Sequence, residues 1–169
     1  NVLQEKGDLD SAILSFQKAL KIKPDFAQAH YNLGTALQEK GDLNSAIDSY
    51  QNAIKLNPDY QNAHSNLGTA LQENGDLNSA ILSFQKALQL KPDFAQSHNN
   101  LGTALQENGD LNSAILSFQK ALQIKPDYQD AHNNLGNALK EKGDLDSAIL
   151  SFQKALKIKP DLEKAHNNL

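Results

Sequence analysis

At 169 residues with a net charge of −4, the chain can bury a sizeable core and carries no strong charge bias. All of its basic residues are lysine and it has no cysteine, which excludes bidentate arginine grips on phosphate, disulfides and thiolate chemistry. The concentrated positive charge that nucleic acid demands is also missing.

Landmarks recur at a constant step of 34 residues: Pro24, Pro58, Pro92, Pro126 and Pro160, then Gly34, Gly68, Gly102 and Gly136, then Gly7, Gly41, Gly75, Gly109 and Gly143. A fixed period of this length marks one supersecondary unit stacked on itself, each copy touching only its neighbours. Residues 1–26 read as the end of one helix followed by a complete second one. The stretch Ala27 to Lys40 then places Ala29, Leu33, Ala36 and Leu37 on one helical face. Asp25 and Gln28 have capping-box spacing before it, and Gly41 suits its end. This is helix A of the repeat.

Asp42 or Asn44 opens helix B, with Leu43, Ala46, Ile47, Tyr50, Ala53, Ile54 and Leu56 on the expected buried stripe. Pro58 stops it. Gly34 costs about 1 kcal/mol against alanine inside a helix, so its recurrence predicts a close helix–helix approach. Full units follow at 27–60, 61–94, 95–128 and 129–162, and 163–169 begin another helix A.

The pattern N-L-G-x-A-L, G-D-L-x-x-A-I, F/Y-Q-x-A-L/I and a closing Pro resembles the tetratricopeptide repeat over the whole chain. The resemblance implies an all-α fold, a right-handed superhelical solenoid of antiparallel helix pairs in a single array. It also implies that helix A lines a concave groove. Two departures concern packing: His30, His64, His98, His132 and His166 stand where the family usually has a large aromatic residue, and Leu37, Leu71, Leu105 and Leu139 replace another frequent aromatic. The histidines are expected to be half-buried packing residues. They lack companions at ligand spacing, so no metal and no cofactor is expected.

The groove face of helix A reads Gln28/Asn62/Gln96/Asp130, then Tyr31/Ser65/Asn99/Asn133, then Thr35/Thr69/Thr103/Asn137, with Gln38 and Glu39 beyond. Within it Asn32, Asn66, Asn100, Asn134 and Asn168 recur once per unit. An Asn amide both donates and accepts, so such a row suits an extended peptide backbone. It is similar to the asparagine ladder in the repeat domain of the O-linked N-acetylglucosamine transferases. The family's lysine and arginine clamp for carboxylate-ended chaperone tails is not matched; only Lys164 falls on an inner position.

No serine has a histidine and an acid arranged around it, so an enzyme is not expected. The expected function is a protein-interaction scaffold binding a peptide or partner segment in the groove. The second reading is a structural module that self-associates, head to tail through its broken end helices or through an apolar stripe. Leu14, Leu82, Leu116 and Leu150 bear on that stripe: tucked against the following helix they are core, the favoured placement, and turned outward they mark an interaction site. No apolar run approaches the ~20 residues of a membrane span. No signal peptide is visible before the array, so a cytoplasmic location is expected. The chain starts at Asn1 without Met and is read as a segment of a longer array or as a head-to-tail stacking unit.

Overall fold

The computed structural model describes residues 2–159, with side chains from Asp8 onward. The described residues form nine α-helices and no strand. They divide into two compact units, residues 1–90 and 91–169. Unit 1 contains α1 (Val2–Ile22), α2 (Ala27–Lys40), α3 (Leu43–Leu56), α4 (Gln61–Glu73) and α5 (Leu77–Leu90). Unit 2 contains α6 (Ala95–Glu107), α7 (Leu111–Ile124), α8 (Gln129–Lys142) and α9 (Leu145–Ile158). Within each unit every helix packs on the next in chain order, and α2 also approaches α4, as α6 approaches α8. The even-numbered helices are the A helices and α3, α5, α7 and α9 the B helices.

The turns have one chemistry throughout. Gly41 ends α2 with φ 87°, a left-handed conformation glycine adopts without a Cβ penalty. Its N–H and that of Asp42 close on the carbonyls of Gln38 and Leu37. Asp42 then caps α3, its carboxylate accepting from the Ser45 N–H at 3.3 Å, and Asp76, Asp110 and Asp144 do the same for Ser79, Ser113 and Ser147. Hydrogen bonds from the Ser79 and Ser113 side chains first, and from their N–H groups second, hold the Asp76 and Asp110 carboxyls below their ordinary value. At Gly7 the helix does not break, because α1 runs unbroken from Val2 to Ile22. Glycine permits a left-handed turn without imposing one.

The starts of the A helices differ from the capping-box expectation. Phe26, Tyr60, Phe94 and Tyr128 occupy the cap positions, without a side-chain cap bond. Asp25 lies one residue too early for its carboxylate to serve.

The core is built from alanines against rings. Tyr50, Phe84, Phe118 and Phe152 are the large fully buried side chains. A Cβ on Gly34, Gly68, Gly102 or Gly136 would come within 2.7, 2.7, 2.6 or 2.5 Å of the corresponding ring. Each ring therefore occupies the space the missing methyl leaves, and the close approach inferred from the sequence is present in every pair. On α3, Ala46, Ile47, Tyr50 and Ala53 are buried, whereas Leu56, on the last turn, is 41% exposed and is not core.

Candidate functional site

On the A-helix face of unit 1, side chains from α2 and α4 are linked. Gln28 Nε2 donates to Asn32 Oδ1 at 2.8 Å, and the Tyr60 hydroxyl donates to Gln28 Oε1 at 2.7 Å. Asn66 Nδ2 donates to the Tyr31 hydroxyl at 3.2 Å. The Tyr31 ring lies 5.0 Å from that of Tyr60 and 6.0 Å from that of Tyr50, centroid to centroid. Tyr50 donates to Gln38 Oε1 at 2.9 Å, and Gln38 Nε2 donates to Glu73 Oε2 at 2.9 Å. Burial pushes the Tyr50 and Tyr60 hydroxyls above the ordinary phenol value.

Unit 2 repeats the scheme with other side chains. Asn134 Nδ2 donates to Asn99 Oδ1 at 3.1 Å, and Gln106 Nε2 donates to Glu141 Oε2 at 2.8 Å. Both units thus use the same reach of 35 residues, from one A helix to its neighbour. Asn32 and Asn66 lie on the A helices of unit 1, and Asn100 and Asn134 on those of unit 2, all half-buried. Asn168, Lys164 and His166 lie outside the described residues.

The remaining face positions sort by depth. Gln28, Asn62, Gln96 and Asp130 are exposed. Ser65, Asn99 and Asn133 are buried, at 6%, 7% and 8% exposure, so they sit deeper than a groove-lining role requires. Asn133 Oδ1 has no hydrogen-bond partner among the described residues. Thr35, Thr69 and Thr103 turn their hydroxyls back onto the carbonyls of Tyr31, Ser65 and Asn99. Asn137 is half-buried.

The histidines have a role that composition did not reveal. Nε2 of His30, His64, His98 and His132 lies 2.9 Å from the carbonyl of Pro24, Pro58, Pro92 and Pro126 respectively. A carbonyl only accepts, so Nε2 carries the proton in every case. The imidazole ties the proline turn to the A helix that follows it. The constant six-residue Pro-to-His spacing was the available signal. Lys23, Lys91 and Lys125 add cation–π contacts over Phe26, Phe94 and Tyr128 in the same turns, at 5.0–5.4 Å.

The B-helix side overturns one expectation. Leu14, Leu82, Leu116 and Leu150 are 56%, 66%, 62% and 59% exposed, so they are not core. They stand opposite the alanine and ring stripe of their helices. Among the described residues no cluster of three His, Asp or Glu side chains could hold a metal ion, and no helix is long and apolar enough to cross a membrane.

The family described as TPR repeat matches residues 1–41, 36–75, 71–109 and 105–143, and the tetratricopeptide repeat matches 130–162. The chain belongs to the tetratricopeptide repeat family. Among solved structures it is similar to that of MamA, with 30% identity over 93% of this chain and 92% of that one and a TM-score of 0.87. It is also similar to YrrB, described as a TPR protein with an unusual peptide-binding site, at 25% identity, 99% and 86% coverage and a TM-score of 0.83. The 41-end form of MamA from Desulfovibrio magneticus RS-1, at 22% identity with 95% and 90% coverage and a TM-score of 0.87, shares the fold. No curated protein matches. The chain is accordingly an all-α tetratricopeptide repeat protein, its helix pairs those of the family's solenoid.

Proposed function

We propose that this tetratricopeptide repeat protein is a non-enzymatic interaction scaffold whose A-helix face takes an extended peptide or partner segment rather than nucleic acid. Asn32 and Asn66 in unit 1, and Asn100 and Asn134 in unit 2, one from each of the full repeats 27–60, 61–94, 95–128 and 129–162, grip the backbone within their own unit. The supporting observation is the equivalent placement of Asn66 and Asn134. Each is half-buried and anchored by one Nδ2 hydrogen bond to a side chain 35 residues earlier. At Asn66 the side chain also hydrogen-bonds the Tyr50 hydroxyl, which leaves its oxygen lone pairs for a peptide N–H, while Asn134 keeps a second N–H for a peptide C=O as well. Catalysis finds little support, since the B-helix serines Ser49, Ser83, Ser117 and Ser151 donate to carbonyls one turn back. A cytoplasmic location goes with this reading.

The test is Asn66→Ala combined with Asn100→Ala. Partner capture should fall about tenfold, as expected for losing two hydrogen-bonded anchors of about 0.5–1.5 kcal/mol each, while helicity and melting stay nearly unchanged. Unaltered capture would remove the asparagine mechanism. The exposed leucines favour a second reading, an assembly module that associates through its B-helix side. Light scattering against concentration separates the two, because only the second requires large assemblies.

A further inference from the structure

Two grooves open on the B-helix side, one in each unit and at corresponding positions. In unit 2 a groove of about 630 Å³ runs between α7 and α9 over α8, lined by Leu122, His132, Leu135, Lys154, Lys157 and Ile158 among others. In unit 1 a groove of about 380 Å³ is lined by Ile54, His64, Leu67 and Lys86, each 68 residues earlier than its counterpart. The larger lies within the size range of ligand clefts.

Two features of the unit 2 groove say what fits it, and a third closes its floor. Its apolar floor continues along both walls, for Leu116 precedes lining residue Gln119 by three positions and Leu150 precedes Lys154 by four, each about one turn. Both leucines are mostly exposed. Its charge has one sign: past their first turns neither α7 nor α9 carries a carboxylate, while Lys154 and Lys157 stand in the groove. At its floor His132 is only 7% exposed and gives Nε2–H to Pro126, leaving a buried Nδ1 with no partner among the described residues.

Walls made of two helices receive a third helix by ridges-into-grooves packing. We propose that the groove between α7 and α9 docks an acidic amphipathic helix of a partner protein, its leucines in the groove and its carboxylates on Lys154 and Lys157. A second copy of this chain is the weaker occupant. A two-fold contact sets the same patch against itself, so it would oppose Lys154 and Lys157 with their own equivalents. The unit 1 groove is the poorer host, because exposed Asp48 takes the place that Leu116 holds in unit 2.

The test uses the whole chain and a fluorescent helical peptide of about 18 residues, with leucines at i, i+4, i+7 and i+11 flanked by glutamates. A twin peptide carries lysine for every glutamate. Anisotropy titration should show the glutamate peptide binding about tenfold or more tighter than its twin, with affinity falling as salt rises. Lys154→Gln with Lys157→Gln, and separately Leu150→Ser, should each weaken it about tenfold. Circular dichroism confirms that these exposed-site variants keep their helices. Equal affinity for the two peptides, no binding, or binding indifferent to the variants would overturn the proposal. So would sedimentation showing wild-type pairing that Leu150→Ser abolishes, which would give the groove to a second copy.

Discussion

The glycine–ring contact sets a tight tolerance at single residues. Gly102→Ala would bring Cβ to 2.6 Å from Phe118 Cε1, inside any real contact distance. The ring is fully buried. Overpacking of this kind costs about 1–3 kcal/mol, against about 1 kcal/mol gained from alanine's helix preference. We expect a lower melting temperature, measured by circular dichroism, although a propensity scale alone predicts a rise. His132 gives a second residue-scale prediction. Burial first, then the charge of Lys154, lowers its pKa, and the bond to the Pro126 carbonyl offsets part of that. A base with a lowered folded pKa binds its proton more readily unfolded, near the ordinary value of about 6.5. Stability should therefore fall as pH drops from about 7 through 6.5 and below, with no contribution above. In denaturant titrations at pH 7.5 and 5.5, His132→Gln should show a smaller loss than the wild type.

At the scale of the helix, start and stop signals were legible where they act through one side chain and misleading where they act through several. The Asp caps of the B helices and the glycine ends of the A helices follow from a single preference each. Asp42→Ala should destabilise α3 by about 1 kcal/mol, read as a lower denaturant midpoint with an unchanged slope. The A-helix starts were misread because Asp25 has the right spacing to Gln28 but the wrong offset from the first helical turn. What holds that turn is the bond between an imidazole and a proline carbonyl, signalled only by the constant six-residue Pro-to-His spacing. The exposed leucines were misread for another reason. At 100° per residue, Leu82 lies about 160° from Ala80 and Phe84, the buried side. The period already placed it outward, and its apolar character was given too much weight against that geometry.

At the scale of the whole molecule, the repeat period marked the stacked unit, because Pro and Gly punctuation recurs in every copy, and the N-L-G-x-A-L pattern with its companions pointed to the family. The interaction surfaces were only half visible. The once-per-unit asparagines could be found by counting, but their depth could not. Asn99 and Asn133 look like groove residues in sequence and lie buried in the fold, while Asn100 and Asn134 beside them stay half-open. Replacing Leu82, Leu116 and Leu150 together by serine should leave the melting curve nearly unmoved, since each is more than half exposed. It should reduce binding of an apolar fluorescent dye and any concentration-dependent light scattering.

The proline-to-histidine bond has one more consequence. It fixes the same tautomer at His30, His64, His98 and His132 and shields one ring proton in each described turn. Histidine-selective nitrogen labelling should therefore yield a spectrum with one imide resonance for each of those junctions. Loss of individual signals on heating would time the opening of each joint separately, a built-in row of reporters requiring no added label on the surface.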